Sequence, residues 1–172
     1  MYERTGEMTF KGTPLTLVGD KVEVGQIAPN FTAVSNDLED VELSKYKGKT
    51  ILLLAVPSLD TGVCSMETKK FNEKATDLDD DVVVLTLSMD LPFAQKRWCG
   101  AEGVENVETL SDHRDAEFGT KYGLLIKELR LLARAVVVVD SDGKVTYVEL
   151  VPEMTDEPDY DAAIKAVDSA RS

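Results

Sequence analysis

The chain is short of cysteine, histidine, positive charge and long apolar runs, and each shortage removes a class of function. Two cysteines, Cys64 and Cys99, in 172 residues are too few for a disulfide scaffold. A single histidine, His113, leaves no Cys/His zinc set, so neither a metal nor another cofactor is expected. The longest uninterrupted apolar run, Ile51 to Pro57, is far too short to span a bilayer. The opening MYERTGEMTF has no basic stretch leading into an apolar one, so a secretory signal is not expected and a cytoplasmic location is. With 19 basic against 32 acidic residues the net charge is −13, a field that repels nucleic acid and anionic membrane surfaces. Acidic clusters at Asp77–Asp81 and Glu153–Asp161 read as solvated surface.

What is present is an ordinary globular composition, 43% apolar and 30% charged, long enough for one domain over residues 1–172. Met8 to Val18 alternates around Lys11-Gly12-Thr13-Pro14 and predicts a β-hairpin. Thr32 to Ser35 and Val41 to Leu43 are short strands flanking a polar turn at Asn36 to Asp40. Thr50 to Val56 and Val82 to Leu87 are continuous apolar runs, the pattern of strands buried on both faces. Between them a helix is expected from Cys64 to Leu78, with Met66, Phe71, Ala75 and Leu78 on its apolar stripe. Pro92 suits the first turn of a second helix ending at Cys99 and stopped by Gly100. Val107 to Leu110 predicts a strand and Asp115 to Tyr122 a helix closed by Gly123. Ala135 to Val139 and Val145 to Val151 form a hairpin through Asp140-Ser141-Asp142-Gly143, and a last helix from Asp159 buries Tyr160, Ile164 and Val167. This order specifies an α/β layered sheet, a thioredoxin-like fold (a central mixed sheet flanked by helices) with an added N-terminal β-hairpin.

Chemistry concentrates at Pro57-Ser58-Leu59-Asp60-Thr61-Gly62-Val63-Cys64, between a buried strand and a helix. A cysteine in the first turn of a helix faces the positive end of its dipole and unpaired backbone N–H groups, both of which favour thiolate, the nucleophilic form. Thr61 is placed either to set its hydroxyl beside the sulfur or to cap the helix, and Pro57 stiffens the strand exit. Without such a signature, two buried inert thiols would be the ordinary reading.

Pro-x-x-x-Thr-x-x-Cys is the active-site pattern of the peroxiredoxins, and PSLDTGVC followed by TKKFN resembles their thiol peroxidase branch. RWCGAEG around Cys99, LSDHRD at Leu110 to Asp115, LLARAVVVVD at Leu131 to Asp140 and the closing YVELVPEMTDEPDYDAAI carry the likeness from about Thr9 nearly to the end. The resemblance implies that Cys64 is the peroxidatic cysteine and Cys99 the resolving one, paired as an intramolecular disulfide during turnover. It implies that Arg134 is the active-site arginine, with Pro57, Thr61 and Arg134 binding the hydroperoxide. Recycling by thioredoxin and a homodimer are implied in the same way.

The thiolate alone does not make a peroxidase. A free thiol of pKa about 8.5 is about 3% ionised at pH 7. Lowering such a pKa by about two units raises thiolate about 25-fold but cuts nucleophilicity about 6- to 10-fold, a net gain of only about threefold. The expectation is therefore that Arg134, Thr61 and backbone N–H groups bind the peroxide oxygens and stabilise the departing one. Cys99, at a helix C-terminus, suits a thiol that waits for sulfenic acid. Trp98 reads as a packing anchor and His113 as a surface loop residue. Two other classes compete: an interaction protein stapled by Cys64–Cys99, and a peroxide sensor that relays oxidation to a partner. A dithiol oxidoreductase is disfavoured because the chain has no Cys-x-x-Cys.

Overall fold

Alternation along two central strands decides the layout. The structure, a computed structural model, describes residues 2–75 and 80–171. In chain order it forms β1 (Glu3–Phe10), β2 (Thr13–Val18), β3 (Thr32–Val34), β4 (Asp40–Glu42), β5 (Thr50–Ala55), α1 (Gly62–Ala75), β6 (Val82–Ser88), α2 (Pro92–Glu102) and β7 (Glu108–Ser111). Then follow α3 (Glu117–Lys121), β8 (Leu125–Ile126), β9 (Leu131–Leu132), β10 (Ala135–Val139), β11 (Val145–Leu150) and α4 (Tyr160–Ala170). Seven strands form one mixed sheet in the order β11-β10-β5-β6-β7-β3-β4. Strands β5, β6 and β7 run parallel, while β10 lies antiparallel to β5.

All of β5 and β10 is buried, as the unbroken apolar runs require. Successive side chains point to opposite faces, so each run feeds two cores. Leu52, Leu54, Val136 and Val138 meet Phe71 of α1, Trp98 of α2 and Ala163 and Val167 of α4. Ile51, Leu53, Val137 and Val139 meet the hairpin residues Met8, Leu15 and Leu17 and Phe118 of α3. The thioredoxin-like fold is therefore present, with helices α1, α2 and α4 on one face.

The hairpin is not a simple appendage. It opens earlier than alternation predicts, at Glu3, with a register shift between Thr5 and Met8, and β2 pairs β8 to complete a separate four-stranded sheet β1-β2-β8-β9. Gly19 leaves this hairpin at φ +99, and a Cβ there would stand 2.0 Å from the carbonyl oxygen of Thr120. Close backbone approach requires glycine at that point.

Several expectations are corrected. Helix α2 does not stop at Gly100 but runs to Glu102, where Gly103 adopts the left-handed cap conformation and donates its N–H to the carbonyl of Cys99. On α1, Met66 is 41% exposed, and the buried positions are Cys64, Glu67, Thr68 and Phe71. The polar face is turned inward because it builds the site described below. On α4, Ala163 and Val167 are buried, whereas Tyr160 and Ile164 are half-buried at the cluster's edge. Helix α3 is also shorter than Asp115–Tyr122. The side chain of Ala75, all of Leu78 and the acidic residues Asp77 and Asp79 lie outside the described residues. No described helix is long and apolar enough to cross a membrane.

Candidate active site

Parallel pairing brings the exits of β5 and β6 side by side, the edge where open α/β sheets place their sites. Asp90, just past β6, ties the two exits together. Its Oδ1 accepts from Ser58 Oγ at 2.6 Å, and its Oδ2 accepts from the Leu59 N–H and from Ser88 Oγ, each at 2.8 Å. Pro57 is buried at the strand exit. Thr61 then starts α1. Its Oγ1 accepts from the Cys64 N–H at 3.3 Å and donates to the Ser58 carbonyl at 3.0 Å, so of its two possible placements the hydroxyl takes the cap. Cys64 thus sits in the first turn, free and fully buried.

Antiparallel pairing of Ala135 with Ala55 sets the preceding residue, Arg134, against the same edge. Arg134 is 2% exposed. Its Nε and Nη2 donate to the Met154 carbonyl at 3.1 and 2.9 Å, and its Nη1 donates to Glu67 Oε2 at 2.6 Å. Burial works to lower its pKa, but its interactions with Cys64 and Glu67 outweigh that and the net shift is upward. Four groups, from Cys64, Arg134, Glu67 and Met154, therefore form one buried constellation.

The N-terminal hairpin fixes the Met154 carbonyl. The Met154 N–H donates to the Thr9 carbonyl at 2.8 Å, and the Thr9 N–H donates to the Pro152 carbonyl at 2.7 Å. Glu153 Oε1 accepts from the Gly12 N–H at 2.8 Å and from Thr9 Oγ1 at 2.9 Å. Backbone N–H groups of Thr155 and Gly12 hold the Glu153 carboxyl at about 2. This member of the acidic cluster is a structural tie as well as surface charge.

Glu67 is a site residue that motif reasoning misses. It is fully buried, one helical turn beyond Cys64, and its Oε1 has no hydrogen-bond partner among the described residues. Burial pushes its pKa up to about 7, against the pull of Arg134, and Glu149 and Glu157 add to the rise. The signal available in the sequence is its spacing: three residues after Cys64 is the same helix face.

Cys99 lies in the last turn of α2, half-buried, free, and packed against the apolar cluster that contains Cys64. Its sulfur is 3.5 Å from Thr109 Oγ1. Trp98 Nε1 donates to Ser65 Oγ at 3.1 Å, so the residue before Cys99 grips the residue after Cys64. His113 follows β7, its N–H donating to Ser111 Oγ at 3.3 Å, and takes no part in the constellation around Cys64. Among the described residues no group of three or more His, Cys, Asp or Glu side chains is placed to hold a metal ion.

A mixed sheet with a lone cysteine at the head of the helix after its first parallel strand defines a thioredoxin-fold protein built around one thiol rather than a dithiol motif. Comparison with known proteins gives the family. Residues 23–164 match the Redoxin family model, and the chain belongs to that family. It is 58% identical over 164 residues to a thiol peroxidase of Listeria innocua, covering 95% of this chain and 99% of the relative. A thiol peroxidase of Bacillus subtilis is 56% identical over 160 residues, with 93% and 95% covered. A peroxiredoxin-like protein from Aquifex aeolicus superposes with a TM-score of 0.91 at 44% identity, covering 97% of this chain and 99% of that one. A thiol peroxidase from Chromobacterium violaceum, 22% identical with a TM-score of 0.83 over 94% and 95% of the two chains, shares the fold.

Proposed function

We propose that the chain is a thiol peroxidase that reduces hydroperoxides at Cys64. The observation that carries this reading is a buried guanidinium facing the sulfur at the head of a helix. The Cys64 thiolate attacks the terminal oxygen of ROOH. The S–O bond forms as O–O breaks, the alkoxide takes a proton and leaves as ROH, and sulfur becomes sulfenic acid. Arg134 stabilises charge on the departing oxygen. Thr61 Oγ1, with its proton given to Ser58, keeps a lone pair for the hydroperoxide O–H. Pro57 closes the pocket behind them.

Cys99 then attacks the Cys64 sulfur, an S–S bond replaces S–O, and the hydroxyl leaves as water. The disulfide, which needs Cα atoms about 4.4–6.8 Å apart, forms as the first turn of α1 and the end of α2 unwind. A dithiol protein of the thioredoxin type restores both thiols by two exchanges. The names of the relatives support the peroxidase activity. The thioredoxin partner and a homodimer rest on family resemblance.

Mass spectrometry after one equivalent of peroxide tests the scheme. The wild type is expected to gain an intramolecular disulfide, and Cys99→Ser a sulfenic and then sulfinic Cys64. A Cys64→Ser variant that still consumes peroxide at the wild-type rate would end this reading. Oxidation that forms normally but is not reversed by thioredoxin would point to a sensor that passes it to another partner.

A further inference from the structure

The surroundings of Cys99 assign direction to its hydrogen bond. Thr109 on β7 is 2% exposed, and among the described residues its hydroxyl has two hydrogen-bond partners: Cys99 Sγ at 3.5 Å and Asn36 Oδ1 at 3.0 Å. A hydroxyl owns one proton. An amide oxygen only accepts, so that proton goes to Asn36, and Thr109 can meet the sulfur only as an acceptor. The partner that donates is the S–H of Cys99. Asn36 lies in the turn between β3 and β4, and the next residue of that turn, Asp37, pairs with Lys96 of α2 at 3.5 Å. One turn therefore grips α2 twice, through a charge and through the Asn36–Thr109–Cys99 chain.

We propose that Asn36 and Thr109 are positioning residues that keep the Cys99 S–H engaged as a hydrogen-bond donor, and so out of reaction, while α2 is folded. The hold is released only when α2 leaves β7, the movement that also allows a disulfide. The order of events follows: Cys99 does not compete for peroxide, and it becomes a nucleophile only once it is free to travel to Cys64. Nearby charges are already engaged, Lys96 with Asp37, Glu102 with Lys69, and Glu108 with the Tyr46 hydroxyl, while Arg97 is exposed. The inference rests on the resolving role proposed above for Cys99, but its test does not need peroxide.

In a Cys64→Ser background, Cys99 is alkylated with iodoacetamide at pH 7 and at pH 10, with and without Thr109→Val or Asn36→Ala. Thr109→Val removes the acceptor of the S–H. Asn36→Ala frees the Thr109 proton to turn toward the sulfur, and as a loop change it leaves the core untouched. Both are expected to speed alkylation at pH 7 by about 2- to 10-fold, the range of one net hydrogen bond. At pH 10, well above the about 8.5 of an ordinary thiol, the variants should match the parent. Slower alkylation at pH 7 in Thr109→Val would mean that the hydroxyl donates to sulfur and would overturn the proposal. An equal rise at both pH values would reduce Thr109 to packing, and no change would remove its role. Failure of the resolving role itself shows separately, as no disulfide in the peroxide-treated wild type.

Discussion

Replacing Glu67 by glutamine tests whether this buried acid carries a proton at neutral pH. Its folded pKa is raised from 4.5 to about 7, chiefly by burial. Between those values the folded protein binds more proton than the unfolded chain. The linked stability is therefore full below about pH 4.5 and is lost as pH rises through about 7. Integrated from pH 5 to pH 8, that difference is roughly 2–3 kcal/mol. The amide that replaces the carboxyl keeps an oxygen for Arg134 Nη1 and cannot titrate. Arg134 also retains both of its bonds to the Met154 carbonyl. The assay is urea unfolding of wild type and Glu67→Gln at several pH values. Wild type should lose roughly 2–3 kcal/mol more than the variant over that range. Asp112 titrates in the same direction, its burial raising it to about 6, so only the difference between the two proteins isolates Glu67. Parallel stability profiles would mean that Glu67 stays ionised beside Arg134, and the reasoning would fail.

Arg134→Lys keeps a charge but loses the planar fork that reaches Met154, Glu67 and Cys64 together. Peroxide reduction should fall by roughly 10²–10³-fold, the cost of losing a charge-stabilising donor, while alkylation of Cys64 by iodoacetamide falls less than about tenfold. Equal losses in the two assays would leave only an effect on the thiolate. Gly19→Ala should destabilise the protein by at least about 2 kcal/mol in urea unfolding, since its Cβ would meet the Thr120 backbone at a strained positive φ. A loss under about 0.5 kcal/mol would show that the hairpin yields freely.

Much of the fold is legible because its strongest signals are local. The apolar runs of β5, β6 and β10 can lie only in a sheet interior, and the Asp140–Gly143 turn can only reverse the chain. The strands β8 and β9 escape sequence reading because two residues carry no period; only pairing defines them, β8 against β2 and β9 against β8. Gly100 reads as a helix stop, yet helix packing carries the chain to Gly103, where the left-handed φ is needed. At the site, the Pro57–Cys64 motif points to Cys64 and the resemblance to Arg134, and the two lie in one buried constellation. The residues that hold these groups lie beyond the motif's reach: Glu67, the Met154 carbonyl, Thr109 and Asn36 act through contacts between distant segments. A buried glutamate breaks the apolar stripe of α1, and a reading by hydrophobicity alone therefore favours Met66 in its place.

The indole of Trp98 bridges the helices that carry the two sulfurs, and the chain holds no other tryptophan. Any parting of those helices must strip the ring of its Ser65 partner and wet it. Its fluorescence is thus a built-in optical readout, able to follow the proposed cycle of oxidation and repair in unlabelled protein.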